Sequence, residues 1–314
     1  MGILSKIKNM FSKKKVKKLA ASTNTDKTVK LALREKNPDR ILDILTNCGS
    51  TLTSNEIMTI ILKLPINKRL DGMRAAKRHL TPYDLFEIIN NKLDGNNKLH
   101  ALEEFQNQLD LYDIYKIFDN LSPDKRTAAL EICLDRFDSF SLGELIKLYI
   151  PLVERSDMLY KYDELIDSFS KADIIKKMIP DETIKALEKY GSELNSNNIC
   201  EIITSMPMSH ITQALKTTYK YLNQNQIRDI IMYNIPEYQR LEALESCSDV
   251  LDISIKTDII KYSIPDKDKE TAVTDLADSL DSDHVSNIIE DLRISANFVK
   301  VLTKKFGFKK EDIG

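Results

Sequence analysis

The sequence predicts an all-α fold: a right-handed or irregular α-solenoid of about nine to ten two-helix repeats, preceded by a short amphipathic basic helix. Two periodic patterns lead to this prediction. Eight of the nine prolines fall at steps of 27 to 29 residues, or at twice that spacing. A column of apolar residues also returns every 28 or 29 residues, and six of its members directly follow an alanine. The column consists of Leu45, Met73, Leu102, Leu130, Met158, Leu187, Leu215, Leu244, Val273 and Leu302.

Composition agrees with a folded helical chain in a reducing compartment. Apolar residues make up 42% of the sequence and charged residues 30%, and the eight glycines are too few for a strand-rich fold with many tight turns. No apolar run approaches the roughly 18 residues that cross a bilayer. The four cysteines lie in different repeats without a CxxC motif. We therefore expect free, buried thiols and a cytoplasmic protein.

The N-terminal segment, residues 1–22, is basic and amphipathic. Its apolar residues recur at helical spacing, and residues 1–18 contain seven lysines and no acid. This pattern is typical of a helix that lies in an anionic membrane surface, where each lysine contributes on the order of 1 kcal/mol. We predict these membrane-binding residues: Ile3, Leu4, Lys6, Ile7, Lys8, Met10, Phe11, Lys13, Lys14, Lys15, Lys17 and Lys18.

Other interpretations of the same segment stay open. It resembles the short amphipathic N-terminal segments of the signal-recognition-particle receptor and of phage-shock proteins, which implies a peripheral position at the cytosolic face of a membrane. A basic terminus without a partner, or an arm for nucleic acid or a partner helix, would have the same composition. Gly2 is the residue that N-myristoylation requires at this position, but Lys6 stands where the motif for that modification has Ser or Thr.

Residues 23–306 form the predicted repeat domain, with the first and last units as caps and residues 307–314 as a polar tail. Each unit opens with a polar capping residue and an apolar helical pattern, breaks near a proline, and continues with a second helix that carries the column residue. Pro123 followed by Asp124 is typical of a helix start. Residues 252–257 alternate like a strand, but their register with other helix starts predicts helix.

Three stretches resemble repeats of known helical-repeat proteins. The general pattern resembles the α-solenoids with two helices per unit, such as HEAT-like repeats. The windows 80–89 and 169–176, and the run 101–103, resemble parts of TAL-effector-like DNA-binding repeats. This resemblance implies a two-helix unit. The chain departs from that family because its repeat is shorter and lacks the loop with paired glycines.

No pattern of catalytic, cofactor-binding or metal-binding residues is present in the sequence. The four histidines lie in different units without metal-ligand spacing, and the glycines are isolated rather than grouped in a phosphate-binding loop. Carboxylate pairs fit solvated helix faces and caps. We therefore expect a protein that is not an enzyme and that needs no cofactor.

Basic residues recur near the start of the second helix of most units. Cations at a helix N-terminus are unfavourable because they oppose the macrodipole. Their recurrence at the same position in most repeats therefore suggests a positive edge that binds an acidic partner or phosphate. Local pairing with nearby carboxylates would explain the same residues. The candidate edge comprises Lys68, Arg69, Lys98, Lys125, Arg126, Arg155, Lys185, Arg240, Lys267 and Lys269.

The sequence thus favours a non-enzymatic scaffold that binds a protein or peptide and is held at a membrane by its N-terminal segment. A nucleic-acid-binding solenoid that uses the basic edge is the first alternative. It is less favoured because the total formal charge is −2, so the seven lysines of the N-terminal segment leave −9 for residues 19–314. A structural component of a viral or phage assembly is the second alternative.

Overall fold

A computed structural model of the chain describes residues 25–290 and 292–309. The predicted membrane-binding residues of the N-terminal segment lie outside the described residues, and so do the last five residues of the predicted tail. The described part divides into two compact units, one up to Pro151 and the other from Leu152. The division falls inside the fifth repeat.

The described residues form twenty α-helices in ten consecutive pairs and contain no strand. In the first unit these are α1 Thr25–Arg34, α2 Pro38–Cys48, α3 Ser54–Lys63, α4 Ile66–Ala76, α5 Pro82–Lys92, α6 Gly95–Phe105, α7 Leu111–Asp119, α8 Pro123–Cys133 and α9 Ser139–Leu148. In the second unit they are α10 Arg155–Lys161, α11 Ser168–Ile175, α12 Pro180–Tyr190, α13 Ser196–Thr204, α14 Met208–Thr218, α15 Gln224–Asp229, α16 Arg240–Cys247, α17 Ile253–Tyr262, α18 Asp266–Asp275, α19 Ser282–Ile289 and α20 Ala296–Val301.

Helices pack against their neighbours in sequence, which confirms the predicted all-α solenoid. Odd-numbered helices open each repeat and even-numbered helices close it. In the first unit α2 packs on α4, α4 on α6 and α6 on α8, while α1, α3, α5 and α7 form a parallel row. In the second unit α12, α14, α16 and α18 follow one another in the same way. Each unit is therefore a stack of short helices that are stabilised mainly by contact with the next repeat.

The apolar column forms the spine of the even-numbered helices. Nine of its ten members are completely buried, and Met158 is 8% exposed. The alanines that precede column residues are also buried, and their small side chains permit close approach of neighbouring helices. These alanines are Ala101, Ala129, Ala186, Ala214, Ala243 and Ala272.

Polar side chains cap the N-terminus of nine consecutive odd-numbered helices. In each case the capping side chain accepts a hydrogen bond from the backbone N–H three residues later, which satisfies a donor that the helix itself leaves free. Thr53, Thr81 and Asn223 complete reciprocal capping boxes. The nine caps are Thr53, Thr81, Asp110, Asp138, Asp167, Asn195, Asn223, Asp252 and Asp281.

Removing one cap tests this interpretation. Asp110 accepts from the N–H of Asp113 at 2.7 Å. We expect Asp110→Ala to lower the free energy of unfolding by about 1 kcal/mol, because the N–H loses its acceptor. Asp110→Asn keeps the acceptor and should retain most of the stability. Urea unfolding followed by circular dichroism measures both variants, and equal losses in the two would contradict the capping role.

Prolines separate the paired helices, as predicted. Pro38, Pro123 and Pro180 occupy the first turn of their helices. The alternating stretch after Asp252 is helix α17, because a cap at Asp252 starts it in register with the other repeats.

Three repeats depart from the regular pattern. In the fifth repeat the 3₁₀ turn Leu152–Glu154 precedes the short helix α10 of 7 residues, whereas the second helices of the first four repeats have 11 residues each. In the eighth repeat α15 continues as a π-helix, Ile230–Asn234. A second π-helix, Leu302–Phe306, ends at Gly307, whose φ of 73° is favourable for glycine.

Candidate functional site

Arginines of the candidate basic edge bridge the ends of neighbouring odd-numbered helices. The Arg69 guanidinium donates from Nε to the Leu64 carbonyl at 3.3 Å and from Nη1 to the Lys92 carbonyl at 2.7 Å. Leu64 follows the last residue of α3, and Lys92 is the last residue of α5. The side chain therefore satisfies carbonyls at two helix C-termini, one in its own repeat and one in the next.

The same arrangement recurs 57 residues later in the first unit and once in the second unit. Arg126 donates to the carbonyls of Leu121 and Tyr149, both at 3.2 Å. Arg240 donates to the carbonyls of Ile235 and Ser263, both at 3.0 Å. In all three cases the acceptors lie five residues before and 23 residues after the arginine. We refer to Arg69, Arg126 and Arg240 as the arginine clamps.

Two further cations at this level also donate to a carbonyl of the next repeat. Lys98 donates to the Asn120 carbonyl at 3.1 Å, and Arg155 donates to the Lys177 carbonyl at 2.6 Å. Burial lowers the pKa of both groups. The positive charges thus lie at the C-termini of odd-numbered helices, where the macrodipole favours them. These residues stand near the N-terminus of an even-numbered helix, where a cation is unfavourable. The fold places their charged groups at the C-termini of odd-numbered helices, where a cation is favourable.

The other five residues of the candidate edge have different surroundings. Lys68, Lys185 and Lys269 form ion pairs with carboxylates three residues away on their own helices. Lys125 donates to the Asn96 side chain at 2.6 Å. Lys267 is exposed and has no hydrogen bond or ion pair within the part of the chain that the structure describes. The structure therefore gives most of these cations an intramolecular partner, and their role as a ligand-binding edge stays a prediction.

An exposed aromatic column lies on the odd-numbered helices of the first unit, and the sequence analysis missed it. Tyr83, Tyr112 and Phe140 each stand two residues after an N-cap, and 66%, 66% and 58% of their surfaces are exposed. We refer to these three residues as the aromatic column. Phe169 has the same register in the second unit and is 59% exposed. The spacing of 29, 28 and 29 residues between aromatics after a cap was the signal available in the sequence.

Contacts between α5, α7 and α9 fix the spacing of the aromatic column. The Asn120 amide after α7 donates to the Asn90 side chain of α5 at 2.8 Å. The Tyr115 hydroxyl of α7 donates to the Ser141 carbonyl of α9 at 3.2 Å, directly beside Phe140. The first bond joins the C-terminal ends of α5 and α7, and the second joins the second turn of α7 to the first turn of α9. Neighbouring odd-numbered helices are thus fixed against each other, and the aromatic side chains recur at the same position of each.

The helices that carry the aromatic column have a net negative charge. The helices α5, α7 and α9 with their three N-caps contain seven acidic and three basic residues, a net charge of −4. Partial burial and the nearby Asp110 carboxylate raise the pKa of Asp113. Lys116 is the one lysine placed over a ring of the column, 5.5 Å from the Tyr112 centroid, within the described residues. The ten residues are Asp84, Glu87, Asp110, Asp113, Asp119, Asp138, Glu144, Lys92, Lys116 and Lys147.

A cluster of ionisable side chains in the second unit is internally compensated. The buried Lys171 ammonium lies 2.5 Å from Asp163 Oδ1, 2.7 Å from Glu193 Oε2 and 4.8 Å from the Tyr190 ring centroid. Burial alone would lower the pKa of Lys171, but the hydrogen bonds to Asp163 and Glu193 outweigh it and raise the pKa. The amine therefore stays protonated and is a poor nucleophile or base.

Lys256 is another buried lysine and lacks such compensation. It is 6% exposed, and its ammonium group has no hydrogen bond or ion pair within residues 25–290 and 292–309. Ile227 and Val285 take the corresponding position, four residues after the cap, in the adjacent repeats and are fully buried. Burial lowers the pKa of Lys256, although the carboxylates of Asp249 and Asp252 act in the opposite direction. The charged form thus destabilises the folded state.

We expect Lys256→Leu to raise the free energy of unfolding by about 1–2 kcal/mol at neutral pH, because an apolar side chain replaces a buried cation. The lowered pKa means that the unfolded chain binds more protons just below the ordinary lysine pKa of about 10.4. Wild-type stability should therefore rise with pH in that window, and the advantage of the variant should shrink. Urea midpoints measure both effects. The exposed Lys267→Leu control should show neither, and a pH-independent gain would contradict the explanation.

The histidines and cysteines form no site in the described ranges. His, Cys, Asp and Glu side chains nowhere gather in threes that could hold a metal ion in residues 25–290 and 292–309. All four thiols are free, and Cys48, Cys133 and Cys247 are buried. Burial raises the pKa of Cys133 and Cys247 to about 12, which keeps these thiols protonated and unreactive.

Within the described residues, every helix is too short or too polar to cross a bilayer. Comparison with protein-family models gives no match to this chain, and a search of curated proteins gives none either. The resemblance to TAL-effector-like repeats therefore has no support from a family match, while the two-helix repeat itself is present.

Proposed function

We propose that the protein is a non-enzymatic helical-repeat scaffold whose aromatic column binds a protein or peptide partner. The observation that supports this function is the return of a large, exposed aromatic side chain at one level of three consecutive repeats. Exposed aromatics arranged in a row are typical of interaction surfaces, since each ring supplies a large contact area at low cost in side-chain entropy. Helical repeats present such rows on extended faces.

A triple variant tests the scaffold proposal. Tyr83→Ser, Tyr112→Ser and Phe140→Ser together should abolish capture of the partner from the native host. A matched control replaces Tyr233, Tyr238 and Tyr262, which are 72%, 76% and 67% exposed in the second unit, by serine. The control should retain the partner. Equal capture by the wild-type chain and both triple variants would overturn the assignment of this surface.

The N-terminal segment is the proposed membrane tether. Its support is the sequence pattern of five apolar residues at helical spacing among seven lysines. Co-sedimentation with phosphatidylcholine vesicles that contain phosphatidylserine should decrease strongly when Lys13, Lys14, Lys15, Lys17 and Lys18 are changed to serine. It should also decrease with added salt, because surface charge is screened. Equal sedimentation of the variant and the wild-type chain would contradict the tether. A cytosolic-face location follows from the same proposal.

A nucleic-acid ligand has less support from the geometry. The arginine clamps direct their guanidinium groups at backbone carbonyls of the chain itself, and the helices around the aromatic column carry net negative charge. A long basic track is the feature that nucleic-acid binding needs most. A structural role in a viral or phage assembly would use the same kind of protein-binding surface as the scaffold.

A further inference from the structure

The aromatic column combines apolar side chains with surrounding negative charge. An occupant that matches both properties carries an apolar stripe and several cations. Glu87 and Glu144 stand one helical turn after Tyr83 and Phe140, so two of the three rings have a carboxylate on the same helix face. Glu144 also pairs with Lys147, and Lys116 stands one turn after Tyr112. A cationic amphipathic helix fits this surface, because its apolar stripe would cover the rings while its cations meet the carboxylates.

The chain itself contains a segment of this composition. Ile3, Leu4, Ile7, Met10 and Phe11 share one face if the N-terminal segment is helical, and seven lysines without any acid surround them. The rest of the chain carries the opposite net charge. The segment therefore has the two properties that the aromatic column selects.

The point at which the segment joins the fold also suits this contact. Helix α1 begins at Thr25, and α1, α3, α5 and α7 pack side by side in order. Odd-numbered helices run in the same direction because each intervening even-numbered helix reverses the chain. The N-terminus of α1 therefore lies at the same edge of the first unit as the first turns of α5 and α7, which carry Tyr83 and Tyr112.

The available length is sufficient. Adjacent packed helices lie about 8–10 Å apart, so three helices present an aromatic column about 20 Å long. An α-helix as long as the segment 3–18 measures about 24 Å. Residues 19–24 can extend over about 20 Å, which is roughly the distance from α1 to α5.

We propose that the N-terminal segment docks on the aromatic column of its own chain and that this contact excludes membrane binding. This inference rests on the proposed function, because it concerns regulation of the tether and of the partner surface. The apolar face of the segment cannot cover the aromatic column and enter a lipid surface at the same time. A membrane therefore frees the column for its partner, and in its absence the segment occludes that surface.

Cross-linking in the full-length chain tests the contact directly. Phe11→p-benzoylphenylalanine, irradiated in dilute solution without lipid, should form cross-links within one chain to residues 82–92, 111–119 or 139–148. The Tyr83→Ser, Tyr112→Ser, Phe140→Ser triple variant should reduce the yield about tenfold, and the Tyr233→Ser, Tyr238→Ser, Tyr262→Ser control should leave it unchanged. Cross-links elsewhere, or only between two chains, would overturn the proposal.

Vesicle binding separates failure of the docking contact from failure of the tether. If about nine-tenths of the wild-type molecules are docked, only about one-tenth have a segment that is free to bind lipid. The aromatic-column triple variant should therefore bind phosphatidylserine-containing vesicles about tenfold more tightly than the wild-type chain. Equal affinity of the variant and the wild-type chain would overturn the docking contact and leave the tether in place. If the cross-links form but neither the wild-type chain nor the variant binds vesicles, the tether is refuted. The docked segment would then serve only to cover the partner surface.

Discussion

Replacement of Leu130 by alanine should lower the free energy of unfolding by about 2–5 kcal/mol, the largest effect that we expect from a single substitution in this chain. Leu130 is completely buried in α8, next to the buried Ala129. Helix α8 packs on α6 through this surface, so truncation leaves a cavity between two repeats in addition to the loss of apolar contact. Urea unfolding followed by circular dichroism measures the change.

Leu148 provides the matched control for this prediction. It is 58% exposed at the end of α9 in the same unit, so Leu148→Ala should change the free energy of unfolding by less than about 0.5 kcal/mol. Hydrogen exchange should locate the effect of Leu130→Ala in α6 and α8 first, because each repeat contacts only its neighbours. Similar losses in the two variants would show that the apolar column is not the spine of the stack.

Replacement of Arg126 by glutamine should lower the free energy of unfolding by about 2–4 kcal/mol, because charge-assisted hydrogen bonds to backbone carbonyls are among the stronger ones in proteins. Arg126 donates to the carbonyls of Leu121, Tyr149 and Asp119, and its guanidinium lies 6.0 Å from the Tyr149 ring centroid. Glutamine is too short to span carbonyls at the ends of α7 and α9, and it carries no charge to oppose the helix dipoles.

Two further variants separate the clamp from a general effect of charge. Arg126→Lys should lose less stability than Arg126→Gln, because an ammonium keeps the charge but reaches fewer carbonyls, as Lys98 does at the same level of the third repeat. The Arg78 side chain is exposed and makes no hydrogen bond or ion pair within the described residues, so Arg78→Gln should leave the urea midpoint almost unchanged. Equal urea midpoints for Arg78→Gln and Arg126→Gln would show that the Arg126 clamp does not stabilise the fold.

The sequence predicted the repeat, the pairing of helices and the buried column, because these depend on local periodicity. The spacing of Leu102 and Leu130, the cap at Asp110 and the helix start at Pro123 each involve residues a few positions apart or one repeat apart. Such signals can be read along the chain without a three-dimensional structure. The same argument identified residues 252–257 as helix although their alternation suits a strand.

The tertiary structure decided what the polar and exposed side chains do. Arg69, Arg126 and Arg240 form a positive line in sequence, but only packing shows that carbonyls of the next repeat, 23 residues away, receive their hydrogen bonds. Likewise, an aromatic residue two positions after a cap could be buried or exposed. The fold leaves Tyr83, Tyr112 and Phe140 largely exposed. The identity of a side chain fixes its chemistry, but its partners depend on distances that no local pattern encodes.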